Sequence, residues 1–269
     1  MMSHEETINK LAATWQSISD LGQTLTEEQW KTLTQLPRWT VQDNLSHLVA
    51  FEASLRGIPR SQHVAAEKSH VKNDLGSSNE DDVDVRRSLS GAEVLAEWNE
   101  LTAQSIEALR TAGADYFAQE VMTPAGPGTM ADFLHLRVLD CWTHEQDMRR
   151  TLQLPGHQSG PSAEHTIDRL IRTLPIVIGK RAQTPEGQCV VIRITGYVTR
   201  VIALTVIDGR AQMSNDEPAS SLCDVSMESD VFLQLATGRA GYEELSKEIR
   251  IFGDTAHAER VLTQFSMMI

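Results

Sequence analysis

The sequence predicts two domains of different class, an antiparallel four-helix bundle over residues 1–154 followed by a smaller α+β domain over 162–269. Three observations predict it. Apolar residues recur at helical spacing in four long stretches, about 4–21, 40–57, 86–112 and 129–152. From Gln188 the period shifts towards two, in runs rich in β-branched residues. Between the two regimes lies Leu154-Pro155-Gly156-His157-Gln158-Ser159-Gly160-Pro161-Ser162, a composition suited to a linker.

Composition narrows the class of protein. The chain has 269 residues and 41% hydrophobic content, enough for two packed cores. A net charge of −13 argues against nucleic acid or an anionic membrane surface as partner, since both would repel it. Three cysteines (Cys141, Cys189 and Cys223) without CxxC spacing fit a reducing compartment and exclude a disulfide scaffold or a cysteine-rich zinc site. The polar, acidic start Met-Met-Ser-His-Glu-Glu-Thr is no secretory leader, and no apolar run approaches the ~20 residues of a membrane span. The expectation is a soluble cytoplasmic protein.

The first helix rests on Ile8, Leu11, Trp15, Ile18 and Leu21, with Gly22 as a stop. Thr26 is the N-cap of a second, short helix that ends before Pro37, because the residue ahead of a proline avoids the helical region. Thr40 and Asp43 form a capping-box pattern, with Asp where Glu or Gln is usual, and open a helix carrying Asn44, His47 and Phe51 on one side. Residues 59–85, with Pro59, Gly76-Ser77-Ser78 and Glu80-Asp81-Asp82-Val83-Asp84, read as a long exposed connection whose acidic run is solvated. His63 and His70 fall in it without an assigned role. Leu89, Val94, Leu95, Trp98, Leu101, Ile106 and Leu109 carry the next helix, closed by Gly113. Pro124-Ala125-Gly126-Pro127-Gly128 is a turn-rich approach to a helix capped by Thr129.

That last helix holds the chemistry. Asp140 and His144 lie four apart and so stack on one face, and Asp147 continues the stripe. Such a face is either solvated or a source of two metal ligands. His47, set among apolar neighbours, is either a core histidine satisfied by a nearby acceptor or a third ligand, neutral imidazole being favoured by burial. Bundle metal sites are built from inward side chains on different helices. His47, Asp140 and His144 together would leave one position open, the catalytic rather than the structural arrangement. Asp147 would be an outer partner for a ligand imidazole or the ion-pair partner of Arg150.

In the second domain a helix spans about Ser162–Gly179, with Pro175 predicting a kink or early end. Cys189–Thr195 and Thr199–Val206 are strands, Asp208-Gly209 a hairpin turn, and Ala211–Ser214 and Leu222–Met227 further strands. A helix over Ser229–Thr237, a strand over Ile249–Asp254 and a closing helix over 255–266 complete a mostly antiparallel α+β unit.

Trp39-Thr40-Val41-Gln42-Asp43-Asn44-Leu45-Ser46-His47-Leu48 resembles the W-[ST]-x-x-D-x-x-x-H-L signature of the mycothiol-dependent maleylpyruvate isomerase family. Arg137-Val138-Leu139-Asp140-Cys141-Trp142-Thr143-His144-Glu145-Gln146-Asp147-Met148-Arg149 is similar to its R-x-x-E-x-W-x-H-x-x-D-x-R helix. Leu233-Gln234-Leu235-Ala236-Thr237-Gly238-Arg239 and Ile251-Phe252-Gly253-Asp254 resemble, less specifically, its sterol-carrier-protein-like C-terminal domain. The resemblance implies a DinB-like metal-binding bundle with Zn²⁺ or another divalent metal on His47, Asp140 and His144. Asp140 replaces the family's usual Glu, and being one methylene shorter it would need a small backbone shift or a water bridge to reach the metal. The resemblance further implies an enzyme that uses mycothiol, or another low-molecular-weight thiol, on a small electrophile or diacid, by isomerisation or S-transfer. It also implies an arginine from the second domain, for which Arg239 and Arg250 are candidates, as guanidinium pairs bidentately with carboxylate. The alternative is a non-catalytic carrier of an apolar ligand with a degenerate metal site.

Overall fold

Residues 4–214, 218 and 220–267 are described by the computed structural model, which divides into two units, Met1–His157 and Gln158–Ile269. The first unit runs α1 (His4–Gly22), α2 (Glu27–Trp30), α3 (Val41–Leu55), α4 (Asp74–Asp84), α5 (Gly91–Thr111) and α6 (Ala114–Ala118). It continues through the strands β1 (Glu120–Thr123) and β2 (Gly126–Thr129) to α7 (Met130–Leu152). The four long helices α1, α3, α5 and α7 are the ones the periodicity predicts. Both α1 and α3 pack on α5 and α7, which closes a four-helix bundle. Its core takes Leu11, Trp15 and Ile18 from α1, Leu45 and Leu48 from α3, Val94 and Trp98 from α5, and Leu134 and Val138 from α7. Trp15 and Trp98 meet edge to face at 6.1 Å, the arrangement aromatic quadrupoles favour.

Two parts of this unit differ from the sequence expectation. The connection over 59–85 contains α4, capped by Asn73, whose side chain accepts from the Gly76 N–H at 2.8 Å. Its acidic run is not simply solvated, for Glu80 is 1% and Asp82 7% exposed. Both are ion-paired, Glu80 to Arg87 and Asp82 to Arg60, and Glu80 also meets the His70 ring at 3.2 Å. Burial of charge is tolerated only with such partners. The turn-rich stretch before α7 is the closed end of a hairpin, β1 pairing antiparallel with β2.

The second unit runs α8 (Pro161–Ile171), a π-helical turn (Ile176–Arg181), β3 (Cys189–Thr195), β4 (Arg200–Ile207), β5 (Arg210–Ser214), β6 (Cys223–Glu228) and α9 (Ser229–Ala236). It ends with α10 (Tyr242–Leu245), a 3₁₀ turn (Ser246–Glu248), β7 (Arg250–Gly253) and α11 (Thr255–Leu262). α8 ends at Ile171, short of the expected Gly179; Pro175 has helical φ and ψ, −56° and −35°, but no N–H to donate to Ile171 O, and it leads into the π-helical turn. The sheet order is β5-β4-β3-β6-β7, antiparallel except for β3 against β6. Asp208 and Gly209 both have positive φ, 52° and 71°, as a primed hairpin turn demands. Val190, Ile192, Ile194, Leu204 and Val225 fill the core, where Phe232 meets Phe265 edge to face at 5.8 Å. Cys141, Cys189 and Cys223 are buried free thiols, and among the described residues no helix is long and apolar enough to cross a membrane.

Candidate metal centre

Two capped helices bring the polar stripes together. At the start of α3 the Asp43 N–H donates to Thr40 Oγ1 at 3.1 Å, and the Thr40 N–H donates to Asp43 Oδ2 at 2.9 Å. That is a capping box with Asp in place of Glu or Gln. Thr129 and Asp132 cap α7 in the same reciprocal way. The rotation of each helix is then set by its apolar side, Val41, Leu45, Leu48 and Val49 on α3 and Leu134, Val138 and Cys141 on α7, all buried. The remaining faces put Asn44, His47 and Phe51 against Arg137, Asp140 and His144.

His47, Asp140 and His144 offer ligand atoms that all lie within 4.8 Å of one another. Asp140 Oδ1 stands 3.5 Å from His47 Nε2 and 3.5 Å from His144 Nε2. A tetrahedron built on bonds of ~2.1 Å has edges of about 3.4 Å, so both separations fit a zinc-sized ion. Both distances are reached with α7 a regular helix from Met130 to Leu152. The imidazoles are buried, whereas the Asp140 side chain is 23% exposed, so the cluster opens towards solvent at its carboxylate.

Neighbouring groups aim the ligands. Asn44 Nδ2 donates to the Thr40 carbonyl at 2.9 Å, and since a carbonyl only accepts, the amide orientation is fixed. Asn44 Oδ1 then accepts from His144 Nδ1–H at 2.7 Å. This sets the tautomer that leaves the Nε2 lone pair facing Asp140 and His47. Of the two roles the sequence allows Asp147, the ion pair with Arg150 is the one formed, while Asn44 takes the bond from His144 Nδ1. Asp147 Oδ1 accepts from Arg150 Nη1 at 3.3 Å, and its Oδ2 lies 3.6 Å from His144 Nδ1, an electrostatic neighbour beyond hydrogen-bond length. Asp140 Oδ2 accepts from Arg137 Nη1, and Arg137 also donates from Nη2 to Glu52 Oε1 at 2.7 Å.

An aromatic roof completes the site. The Trp39 ring lies 5.3 Å from the His47 ring and 6.0 Å from the His144 ring, centroid to centroid. Its Nε1–H donates to Glu80 Oε2 at 2.9 Å, so the α4 segment holds the indole in place. Burial opposes ionisation of Asp140, but the His47 ring and the Arg137 guanidinium beside it outweigh it and hold the carboxyl well below the usual range. Burial pushes the adjacent Cys141 thiol up to about 12, so it is no thiolate at neutral pH.

The three candidate ligands are visible in the sequence, whereas Asn44, Arg137, Glu52 and Glu80 are not visible as their supports. Arg137 stands three residues before Asp140, and Glu52 is a carboxylate in the apolar run Val49-Ala50-Phe51-Glu52-Ala53, which are the signals available. In the second unit, Arg239 follows α9, is half-buried and donates from Nη1 to Thr237 O at 3.1 Å, while Arg250 is exposed at the start of β7.

A four-helix bundle with a buried His, His, Asp cluster, continued by an α+β unit, defines a two-domain protein with a candidate metal centre in its helical half. The chain belongs to the family described as "Mycothiol maleylpyruvate isomerase N-terminal domain", whose model matches residues 11–149. Among solved structures, the mycothiol-dependent maleylpyruvate isomerase is similar over 93% of this chain and 93% of its own, at 16% identity and TM-score 0.57. A His-to-Ala mutant of that isomerase is similar over the same shares, at 17% identity and TM-score 0.54. Sterol carrier protein 2 from Yarrowia lipolytica (apo form) matches 39% of this chain and 92% of its own, at 17% identity and TM-score 0.29. At these identities the likeness to the two isomerase structures is one of fold. Among curated proteins, none matches this chain significantly.

Proposed function

We propose that the chain is a metal-dependent, thiol-dependent enzyme that acts on a small electrophile, with mycothiol or a similar low-molecular-weight thiol as co-substrate. The observation that carries this is the convergence of His47, Asp140 and His144 with an imidazole already aimed by Asn44. When bound, Zn²⁺ or another divalent metal supplies the electrostatic field that holds a thiol as thiolate near neutral pH.

The chain's own residues do the rest. His47, His144 and Asp140 would hold the ion through three donors and would leave a position for the thiol. Trp39 covers the two imidazoles and limits the water that reaches them. A thiol held there as thiolate would add to an activated double bond, whose carbons could then rotate about a single bond, and expulsion of the same thiolate would restore the double bond, giving cis–trans isomerisation. Displacement of a leaving group by the thiolate gives S-transfer. Arg239 or Arg250 is assigned to a carboxylate of a diacid substrate, for which a guanidinium fork is suited.

Metal analysis of protein purified without added zinc, with a thiol-dependent turnover screen over maleylpyruvate-like diacids and alkylating electrophiles, tests this. The expected result is about one divalent ion per chain, lost in His47→Ala, His144→Ala and Asp140→Ala, and turnover that requires both metal and thiol. Metal-free protein that co-purifies with lipid and turns over nothing overturns it in favour of a carrier.

A further inference from the structure

Arg137 and Glu52 are buried charges, 2% and 1% exposed, from helices 85 positions apart in sequence. Removing such groups from water is costly, and their mutual attraction alone is weak evidence of a stabilising role. Their placement points elsewhere. Asp140 has two oxygens, of which Oδ1 faces both imidazole nitrogens and Oδ2 accepts from Arg137 Nη1. The guanidinium is itself immobilised. Nε and Nη2 both donate to Glu52 Oε1, at 3.2 and 2.7 Å, Nη2 lies 3.5 Å from Leu48 O, and its carbon sits 5.1 Å from the Phe51 ring centroid. Asp140 therefore cannot turn Oδ2 towards the imidazoles without breaking a charge-assisted bond in a buried setting.

We infer that Arg137 and Glu52 are positioning residues that restrict Asp140 to one-oxygen ligation, so that the centre keeps three protein donors and one vacant position for the thiol. This rests on the metal reading of the site. A carboxylate free to use both oxygens would fill the vacancy itself and raise the coordination number.

The test uses Co²⁺ as a spectroscopic probe in the metal-stripped full-length chain, with Zn²⁺ affinity measured by competition against a chromophoric chelator. The wild type is expected to show the intense visible bands of four-coordinate Co²⁺. The double variant Glu52→Gln/Arg137→Met removes both buried charges together. Arg137→Lys keeps a cation but offers a point donor in place of a fork. Both are expected to show the weaker bands of higher coordination and Zn²⁺ affinity lowered by roughly 10- to 100-fold. If the double variant does not fold, Arg137→Lys decides. Folded variants with the wild-type Co²⁺ spectrum and wild-type Zn²⁺ affinity overturn the inference. A wild type that takes up neither ion overturns the metal reading instead, so the two failures are distinct.

Discussion

Replacing Asn44 with Ala removes the acceptor that fixes the His144 tautomer, and the structure sets how much that should matter. Asn44 is fully buried, accepts from His144 Nδ1–H at 2.7 Å, and donates to Thr40 O at 2.9 Å and Thr34 Oγ1 at 3.3 Å. Loss of a ligand-orienting partner costs about 10- to 100-fold in metal affinity. Here the lower figure is expected, because Asp147 Oδ2, already 3.6 Å from the same nitrogen, can move in as a substitute acceptor. A tenfold loss corresponds to ~1.4 kcal/mol. Asn44→Ala with Asp147→Ala removes both acceptors and should reach the upper figure, so the two substitutions are non-additive. Stability of the metal-free protein should fall separately, by about 1–3 kcal/mol for the two donated bonds. Chelator competition reads the affinity, and denaturant unfolding of the metal-free protein reads the stability. Zinc affinity within about twofold of wild type in the double variant would refute the tautomer argument, since a factor of two lies far below the cost expected of an orienting partner.

Gly91→Ala should destabilise the first unit. Alanine normally gains ~1 kcal/mol over glycine in a helix, but a Cβ here would meet Trp30 Cδ1 and Cγ at 2.1 Å. Trp30 is buried and its ring base has no flexible end to yield, so overpacking of about 1–3 kcal/mol or more wins; a variant with a raised unfolding midpoint sinks this. Acid should loosen the 59–85 segment. The Lys68 ammonium and the Ala65 N–H lower the Asp81 carboxyl, and His63 and Arg87 lower that of Asp84. Folded values below the ordinary 3.8 mean that their stabilisation is full above that pH and is lost as pH falls through the lower folded values. Asp43 and Asp82, raised by burial, work in the opposite sense, so the readout is a difference. Unfolding of wild type and Asp81→Asn/Asp84→Asn between about pH 5 and 3 should show the variant's deficit shrinking with acid, over the interval where such carboxyls titrate; a deficit that grows contradicts the assignment.

The long helices and the strands of the sheet were legible because their cores are built from residues close in sequence. Ile8, Leu11, Trp15 and Ile18 mark a face without knowledge of what packs on it, and Val190, Ile192 and Ile194 do the same for a strand. α4 was not legible, since Asp74-Leu75-Gly76-Ser77-Ser78-Asn79-Glu80 has almost no apolar stripe. It is held by polar bonds instead, from Trp39 and Arg60, distant in sequence, and from Lys68, His70 and Arg87, which flank it, and such bonds leave no apolar period. The site divides the same way. Asp140 and His144 share a helix, and their spacing is a sequence property. The bond from His144 to Asn44 spans 100 positions, and that from Arg137 to Glu52 spans 85, so neither has a periodic signature.

The acidic segment and the ligand cluster are mechanically one arrangement. Arg87 binds Asp43 at 3.3 Å, Glu80 at 2.7 Å and Asp84 at 2.8 Å. Asp43 is at the same time the side chain that caps α3, one turn before His47. Glu80 is at the same time the acceptor that holds the Trp39 indole over both imidazoles. One guanidinium thus ties the start of the ligand-bearing helix to the roof of the site, through two carboxylates whose burial it offsets. A metal ligand on a helix is placed no better than the helix terminus that sets its rotation, and catalytic geometries tolerate errors of only ~0.5 Å. That tolerance explains why so much charge lies against α3. Apolar packing turns the His47 face of the helix inward, and the directional bonds at Thr40, Asp43 and Arg87 pin its first turn, one turn before His47.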